Sequence, residues 1–297
     1  MKNKTISRRD FIKNGAAGLA AGSLALAWPW KLGAQTMPKT RVVLIRDKDV
    51  LDESGAIRSD VLHRMLDESV KTLLGEKNAV AAWNKIIKPT DIVGIKTNNW
   101  RALPTPPELE EAIRSRVLAT GVKAENISVR DHGVLNDPVF MKATALVNVR
   151  PMRTHDWSGL GTLLKNYIMF VPDPPRFHSD SCADLAALWQ LPEVKGKTRL
   201  NILVMLTPLF HSVGPHGFNP AYVWKYNGLL VGLDPVAVDA TGARIIQAKR
   251  REFFGDDRPI NPPPKHIELA DTRHHLGTAD PNKINLVKLG WTEGILI

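Results

Sequence analysis

The segment between Arg153 and Tyr167 combines side chains that general acid–base catalysis uses. The imidazole of His155 has an ordinary pKa of about 6.5, so it can exchange a proton near neutral pH. Ten positions later, Lys165 stands among apolar neighbours. If they bury it, desolvation lowers the pKa of its amine and leaves a neutral nucleophile near pH 7. We therefore predict His155 and Lys165 as catalytic residues. The alternative is that Lys165 reaches solvent and His155 caps a helix.

Polar side chains also follow other strands that the sequence predicts. Lys96 and Asn98 follow an apolar run that begins at residue 91, and His132 follows the run 127–130. Ligand sites in α/β proteins lie at the carboxyl ends of strands. We assign His132 to acid–base catalysis and Lys96, Asn98, Lys165 and Asn166 to cofactor binding.

Three further histidines have the spacing of metal ligands. His211 and His216 flank a Gly-Pro turn, and His178 precedes Asp184 by six residues. Because imidazole and carboxylate are common ligands of transition metals, His178, His211 and His216 are predicted to bind a metal. Ordinary loop composition, with Asp180 or Ser181 capping a helix, explains the same residues equally well.

Asp239 lies in the first turn of a helix predicted to begin at Pro235. A carboxylate is stabilised there by the helix dipole, so its burial is tolerable. We predict that Asp239 helps to bind a cofactor or orients one of the cations. A purely structural charge is the alternative.

Alternating strand and helix patterns predict an α/β fold, with a mostly parallel sheet and helices on both faces. Asp234 is expected to cap the helix that starts at Pro235, and Thr105 with Glu108 to form a capping box. The predicted strands are 41–46, 91–96, 127–130, 145–149, 200–206 and 229–233, and the predicted helices are 61–74, 105–120, 160–170, 183–189 and 235–254.

Residues 1–35 have the composition of an export signal, with a basic start and a weakly apolar stretch. Within it, the run Ser7–Lys13 resembles the twin-arginine export signal. The apolar stretch is shorter than the ~20 residues that a stable transmembrane span needs. We therefore expect the twin-arginine export machinery as a partner, a periplasmic or secreted protein, and a single α/β domain over residues 36–297. A retained signal that acts as an anchor is the alternative.

Composition disfavours several other functions. The chain of 297 residues has a formal net charge of +10, but residues 1–35 hold half of that charge. No dense basic stripe with interleaved aromatic residues remains, so nucleic acid is not an expected partner. The single cysteine, Cys182, excludes an Fe–S cluster held by this chain alone. Rossmann, P-loop and zincin motifs are also absent from the sequence.

Several motifs together resemble the domain of unknown function 362 family over residues 40–292. The motifs are Val93–Asn98, Thr154–His155 with Leu164–Asn166, His178 with Asp184–Leu185, and Gly228–Ala240. Some members of that family carry an Fe–S module, whose cysteines this chain lacks.

His155, Lys165 and His178 are also similar in spacing to lactate-racemase-type enzymes that use a nickel-pincer nucleotide. That resemblance implies that Lys165 anchors such a cofactor and that His178 binds nickel.

These observations favour a metal- or cofactor-assisted enzyme that acts on a small anionic substrate such as a hydroxy or sugar acid. The reaction would be a racemase- or epimerase-like transfer of a proton or hydride. Two alternatives remain open: a non-catalytic ligand-binding or assembly protein that uses the same pocket, and a metal-dependent hydrolase.

Overall fold

The computed structural model describes residues 39–212, 214 and 216–297. The predicted export signal at residues 1–35 lies outside the described residues. The strands are β1 Thr40–Arg46, β2 Val93–Lys96, β3 Ile127–Arg130, β4 Ala145–His155, β5 Gly159–Gly161, β6 Thr198–Leu209, β7 Gly228–Gly232 and β8 Ile284–Gly290. The helices are α1 Ser59–Leu74, α2 Ala79–Ile86, α3 Pro107–Ala119, α4 Pro138–Lys142, α5 Leu163–Asn166, α6 Ser179–Cys182, α7 Pro235–Phe254 and α8 Lys265–Thr272. Within the described ranges, no helix has both the length and the hydrophobicity that crossing a lipid bilayer requires.

The eight strands of the described residues form one sheet, in the order β3-β2-β4-β6-β7-β1-β8, with β5 paired to the end of β4. β7 runs antiparallel to β1 and β6, and β5 runs antiparallel to β4. The other neighbouring pairs are parallel. The prediction of an α/β fold with a mostly parallel sheet is therefore confirmed.

Apolar side chains form two core clusters, one on each face of the sheet. Val42 and Leu44 of β1 belong to one cluster, and Val43 belongs to the other, because successive strand residues point to opposite faces. Helices α1, α2 and α3 cover the second cluster. Helices α5, α7 and α8 contribute to the first. The sheet is thus buried on both sides, which accounts for its continuously apolar strands.

Of the two helix caps that the sequence predicted, the one at the start of α7 is correct and the one at the start of α3 is wrong. The Asp234 carboxylate accepts the N–H groups of Val236 (2.8 Å) and Ala237 (3.1 Å), as predicted for the start of α7. Thr105 does not cap α3, because its hydroxyl accepts the Asn98 N–H at 3.0 Å instead. Thr105 therefore fastens the loop that follows β2.

The helix predicted over residues 160–170 is wrong. Gly159–Gly161 pairs with Arg153–His155 as strand β5, so the first residues of the predicted helix lie in a strand instead. Only the turn α5 and the 3-10 helix Tyr167–Phe170 follow. The prediction over 183–189 is likewise replaced by a 3-10 helix, Leu185–Gln190.

Candidate active site

A cavity of about 260 Å³ opens where the parallel strands β2, β3 and β4 end. Neighbouring parallel strands bring their carboxyl ends to the same edge of a sheet, so the loops that follow them share one site. Six of the predicted residues line this cavity: Asn98, His132, His155, Lys165, Asn166 and His178. The structure therefore brings together residues that lie far apart in the chain.

Lys96 lies fully buried at the end of β2. Its Nζ donates to Asp131 Oδ1 (2.7 Å), to the Thr97 carbonyl (2.7 Å) and to Asn166 Oδ1 (3.3 Å). Burial lowers the pKa of Lys96 to about 8, and Asp131 opposes that shift. Burial on its own would raise the pKa of Asp131, but Lys96 and the Asn99 N–H hold it below its usual value. Lys96 thus has a carboxylate partner within the protein.

The Asn166 side chain connects the elements that form the cavity floor. Its Nδ2 points at three acceptors, namely Asn148 Oδ1 (2.8 Å), the Val149 carbonyl (3.0 Å) and the Lys96 carbonyl (3.1 Å). These contacts connect α5 with β2 and β4. The amide hydrogens of Asn166 are therefore already used by the protein.

Lys165 is 3% exposed and points inward. Its Nζ lies 3.5 Å from Cys182 Sγ and 6.0 Å from the centre of the Trp157 ring. Burial lowers the pKa of Lys165 to about 8. An amine with that pKa is about nine-tenths protonated at pH 7. The expectation of a neutral amine is corrected, because Lys165 is mainly an ammonium at neutral pH.

His155 is 5% exposed at the end of β4. Burial and then the cations Lys165 and Arg150 lower its pKa far below the usual value, so the imidazole is neutral at pH 7. Its Nδ1 lies 3.1 Å from Asp156 Oδ1. The Trp157 N–H lies within hydrogen-bond distance of both groups, 3.2 Å from Nδ1 and 3.1 Å from Oδ1.

An aromatic wall closes the outer side of the cavity. The Trp157 ring stacks on the His178 imidazole, with centroids 4.1 Å apart and planes at 18°. Burial and then the Lys165 charge lower the pKa of His178 to about 4. His216 meets the edge of Trp157 and pairs with Asp156. His132 lies at the mouth, where its side chain is 64% exposed and 3.3 Å from Asp131.

Arg150 and Arg153 of β4 are candidate functional residues that the sequence did not indicate. Both are nearly fully buried, and in the described part of the chain neither pairs with a carboxylate. Arg150 lines the cavity, has a long 3.5 Å contact to Asn166 Oδ1, and has no partner for Nε. Arg153 donates to Asn98 Oδ1 (2.9 Å) and lies 4.6 Å from the Trp100 ring, but its Nε is also unpartnered. Two arginines inside a strand with many apolar residues were the available signal.

Gly161 leaves room for these cations to approach one another. A Cβ at this position would lie 3.1 Å from Arg150 Nη2, 3.4 Å from Arg153 Cγ and 3.4 Å from His155 Cδ2. Such distances are at or inside ordinary van der Waals contact. The lack of a side chain at Gly161 therefore lets the backbone of β5 lie close to Arg150, Arg153 and His155.

Residues 111–244 match the family model described as Domain of unknown function (DUF362). This segment of the chain is similar to that family. Neither the curated proteins nor the solved structures gave a match to the chain. The matched DUF362 segment contains Arg150, His155, Lys165 and Asp239. Its description names no activity, so the side chains of the cavity carry the functional argument.

Within the DUF362 segment, Asp239 does not line the cavity as the predicted cofactor role required. Its two carboxylate oxygens accept the N–H groups of Leu163 (3.0 Å) and Leu164 (2.9 Å). Burial raises the pKa of Asp239 to about 7 in spite of these bonds. Asp239 thus holds the first turn of α5, which carries Lys165.

The three predicted metal ligands do not form one group. His211 Nδ1 lies 2.9 Å from Arg250 Nη1, between the rings of Tyr222 and Phe254. Asp184 pairs with Arg273 at 2.8 Å instead of serving His178. Among the described residues, no three His, Cys, Asp or Glu side chains converge in a way that would hold a metal ion.

The nickel-pincer nucleotide implied by the weaker resemblance also fits poorly. The cavity of about 260 Å³ is smaller than the ~300–1,000 Å³ of pockets that enclose drug-sized ligands. His155, Lys165 and His178 do line it together, but His178 is stacked on Trp157. The residues present favour a small ligand over a nucleotide enclosed by the cavity.

Proposed function

We propose that this chain is an enzyme that binds a small anionic substrate, of the hydroxy- or sugar-acid class, and transfers a proton on it. The observation that carries the proposal is a pair of buried guanidinium groups, Arg150 and Arg153, that form no salt bridge with any carboxylate of the described residues. A buried charge is costly unless it is paired and hydrogen-bonded. The oxygens of a bound carboxylate or phosphate supply the missing acceptors, and they match the planar fork of arginine.

Lys165 and His155 provide the acid and the base. Their pKa values lie on opposite sides of neutrality, so at pH 7 Lys165 is mainly protonated and His155 is neutral. At pH 7 Lys165 can therefore donate a proton and His155 can accept one, and the negative charge of a bound substrate opposes the Lys165 and Arg150 charges that lower the pKa of His155. When the Trp157 N–H bonds to Asp156, His155 Nδ1 donates to the same carboxylate, and its Nε2 carries a free lone pair.

The proposed step is reversible proton transfer at the carbon that bears the substrate hydroxyl. His155 Nε2 takes the proton from this carbon, and the Lys165 ammonium stabilises the negative charge that develops on the substrate. Lys165 then returns its own proton to the carbon, and both side chains re-equilibrate with water. A racemase or epimerase activity follows if the proton returns to the opposite face.

Exchange with heavy water tests this proposal on the full chain. The purified protein is incubated in D₂O with a panel of hydroxy and sugar acids, and loss of the C–H signal is followed by NMR. We expect exchange with at least one acid and a fall of about 100-fold or more in Lys165→Met, typical of a lost acid–base group. Lys142→Met removes an exposed lysine and serves as the matched control.

A non-catalytic anion-binding or assembly protein is the second candidate function. The unpaired arginines favour it as well, because they suffice to bind an anion without any turnover. Ligand-dependent increases in melting temperature, with no exchange for any acid in the panel, would establish this candidate and exclude the enzyme.

We also propose that the protein is exported by the twin-arginine machinery to the periplasm, or secreted. The run Ser7–Lys13 supports this proposal. Replacing Arg8 and Arg9 by Lys should leave the protein in the cytoplasm, measured by fractionation and immunoblotting. Replacing Lys2 and Lys4 by Arg preserves charge outside the motif and should permit export. Normal export of the Arg8/Arg9 variant would contradict the proposal.

A further inference from the structure

We infer that the ligand of this cavity is a dianion, a small molecule with two negative charges such as a phosphomonoester or a dicarboxylate. The inference rests on the proposed anionic ligand and makes its chemical class narrower. Its basis is the balance of buried charge around the cavity. A hydroxy acid with a single carboxylate would satisfy only part of this balance.

Four cations near the cavity are each more than nine-tenths buried: Lys96, Arg150, Arg153 and Lys165. Arg150 and Lys165 line the cavity, whereas Lys96 contacts the lining residue Asn166 and Arg153 contacts the lining residue Asn98. Two carboxylates are buried with them. Asp131 forms a salt bridge with Lys96, and Asp239 spends both oxygens on backbone N–H groups. The buried groups therefore retain an excess of about two positive charges at neutral pH.

The remaining acids near the site do not remove this excess. Asp156 lies at the mouth with its side chain 19% exposed, so water screens its charge more than it screens the four buried cations. Glu110 is likewise only partly buried, and burial raises its pKa. The neighbouring imidazoles of His155 and His178 have lowered pKa values and add no charge at pH 7.

A monoanion would leave one buried cation uncompensated, whereas a dianion neutralises the set. Each uncompensated buried charge is expensive, so the difference should appear directly in affinity. The unpartnered Nε atoms of Arg150 and Arg153 show that the protein itself does not supply the missing acceptors. Phosphate and dicarboxylate share the required chemistry and differ in where their two charges lie.

Calorimetric titration of the full chain at constant ionic strength tests the inference with four probes: sulfate, inorganic phosphate, tartrate and lactate. At pH 7.5 we expect the best dianion to bind at least about tenfold more tightly than lactate, the size of one compensated charge. Lactate binding as tightly as every dianion would overturn the inference.

A second pH distinguishes the two sources of a dianion. Inorganic phosphate, like a phosphomonoester, carries less negative charge at pH 5.5 than at pH 7.5, whereas the charge of sulfate does not change. If a phosphomonoester is the ligand, phosphate binds best at pH 7.5 and loses affinity relative to sulfate at pH 5.5. If a dicarboxylate is the ligand, tartrate binds best. Equal affinity of phosphate and sulfate at pH 7.5, with a loss for phosphate at pH 5.5, also supports a dianion requirement.

Variants assign the preference to the arginines. Arg150→Gln and Arg153→Gln should each reduce dianion affinity about tenfold or more and lactate affinity by less than about threefold. Arg150→Lys retains the charge and should retain the preference. Circular dichroism confirms that each variant is folded, and an unchanged preference in both folded Gln variants would overturn the inference.

The outcome is separable from that of the proposed function. Dianion binding without exchange in D₂O would support the dianion site and contradict the enzyme. Exchange of lactate with equally tight lactate binding would do the reverse.

Discussion

Two buried arginines, Arg250 and Arg150, have opposite surroundings. Both are at most 4% exposed. The Arg250 guanidinium has an acceptor for every nitrogen: the carbonyls of Arg258 (3.2 Å), Phe210 (3.2 Å) and Pro259 (2.9 Å), together with His211 Nδ1 (2.9 Å). Arg150 has one 3.5 Å contact and an orphaned Nε. Arg250 fastens α7 to the segments around Phe210 and Pro259, whereas Arg150 faces a cavity.

The comparison shows that burial of a charge does not by itself mark a binding site. A buried cation whose donors all meet backbone acceptors stabilises the fold. A buried cation whose donors lack acceptors is costly to the folded protein, and it is tolerated where a ligand supplies them. The presence of hydrogen-bond acceptors, more than exposure, distinguishes Arg250, which stabilises the fold, from Arg150, for which we propose anion binding.

The largest expected effects come from removing the guanidinium group of Arg250 or of Arg150. Arg250→Met should lower the free energy of unfolding by about 3 kcal/mol or more, because it leaves several buried acceptors unpaired. Arg150→Met should change it by about 1 kcal/mol or less, or raise it, yet weaken sulfate binding about 100-fold. Urea unfolding and calorimetry measure the two quantities. A destabilised Arg150 variant beside an intact Arg250 variant would reverse the assignment.

A second effect is the pH dependence of stability that Asp239 causes. Like Arg250, this buried acid has hydrogen-bond partners for its polar atoms, since both carboxylate oxygens accept backbone N–H groups. Its pKa is about 7 in the folded protein and about 3.9 in an unfolded chain. Between these values the folded state binds more protons, so its contribution to stability falls as the pH rises from about 4 to 7.

Asp239→Asn removes this titration. The free energy of unfolding of the variant minus that of the wild type should therefore rise across the same pH window, by up to about 4 kcal/mol. Asp49→Asn, which removes an exposed carboxylate, controls for the change in net charge. A difference that stays constant between pH 4 and 7 would contradict the assigned pKa.

The smallest expected effect is that of Gly161→Ala. The added methyl group reaches Arg150 Nη2 at 3.1 Å, so the guanidinium must move by a few tenths of an ångström. We expect about tenfold weaker sulfate binding, with unfolding changed by about 1 kcal/mol. Unaltered sulfate affinity would show that the position of the Arg150 guanidinium beside Gly161 does not matter for anion binding.

Much of the candidate site was predictable because its residues follow strands. Lys96, His155 and Lys165 come after apolar runs, and parallel strands bring such positions to one edge. Arg150 and Arg153 were missed because they lie within β4, where the face that each side chain takes depends on the register irregularity between Pro151 and Arg153. The predicted metal role of His211 placed it in the same site, yet it contacts Arg250, which is 39 positions away in the chain.

The sequence by itself determined the features that depend on neighbouring residues. These are the α/β alternation, the Asp234 cap of α7 and the polar residues after β2, β3 and β4, since periodicity and capping are local. Only the tertiary structure decided which buried charges have partners. Lys96 pairs with Asp131, and Asp239 accepts N–H groups at the start of α5, whereas the arginines of β4 pair with no carboxylate in residues 39–297 as far as these are described. These contacts depend on segments that folding brings together.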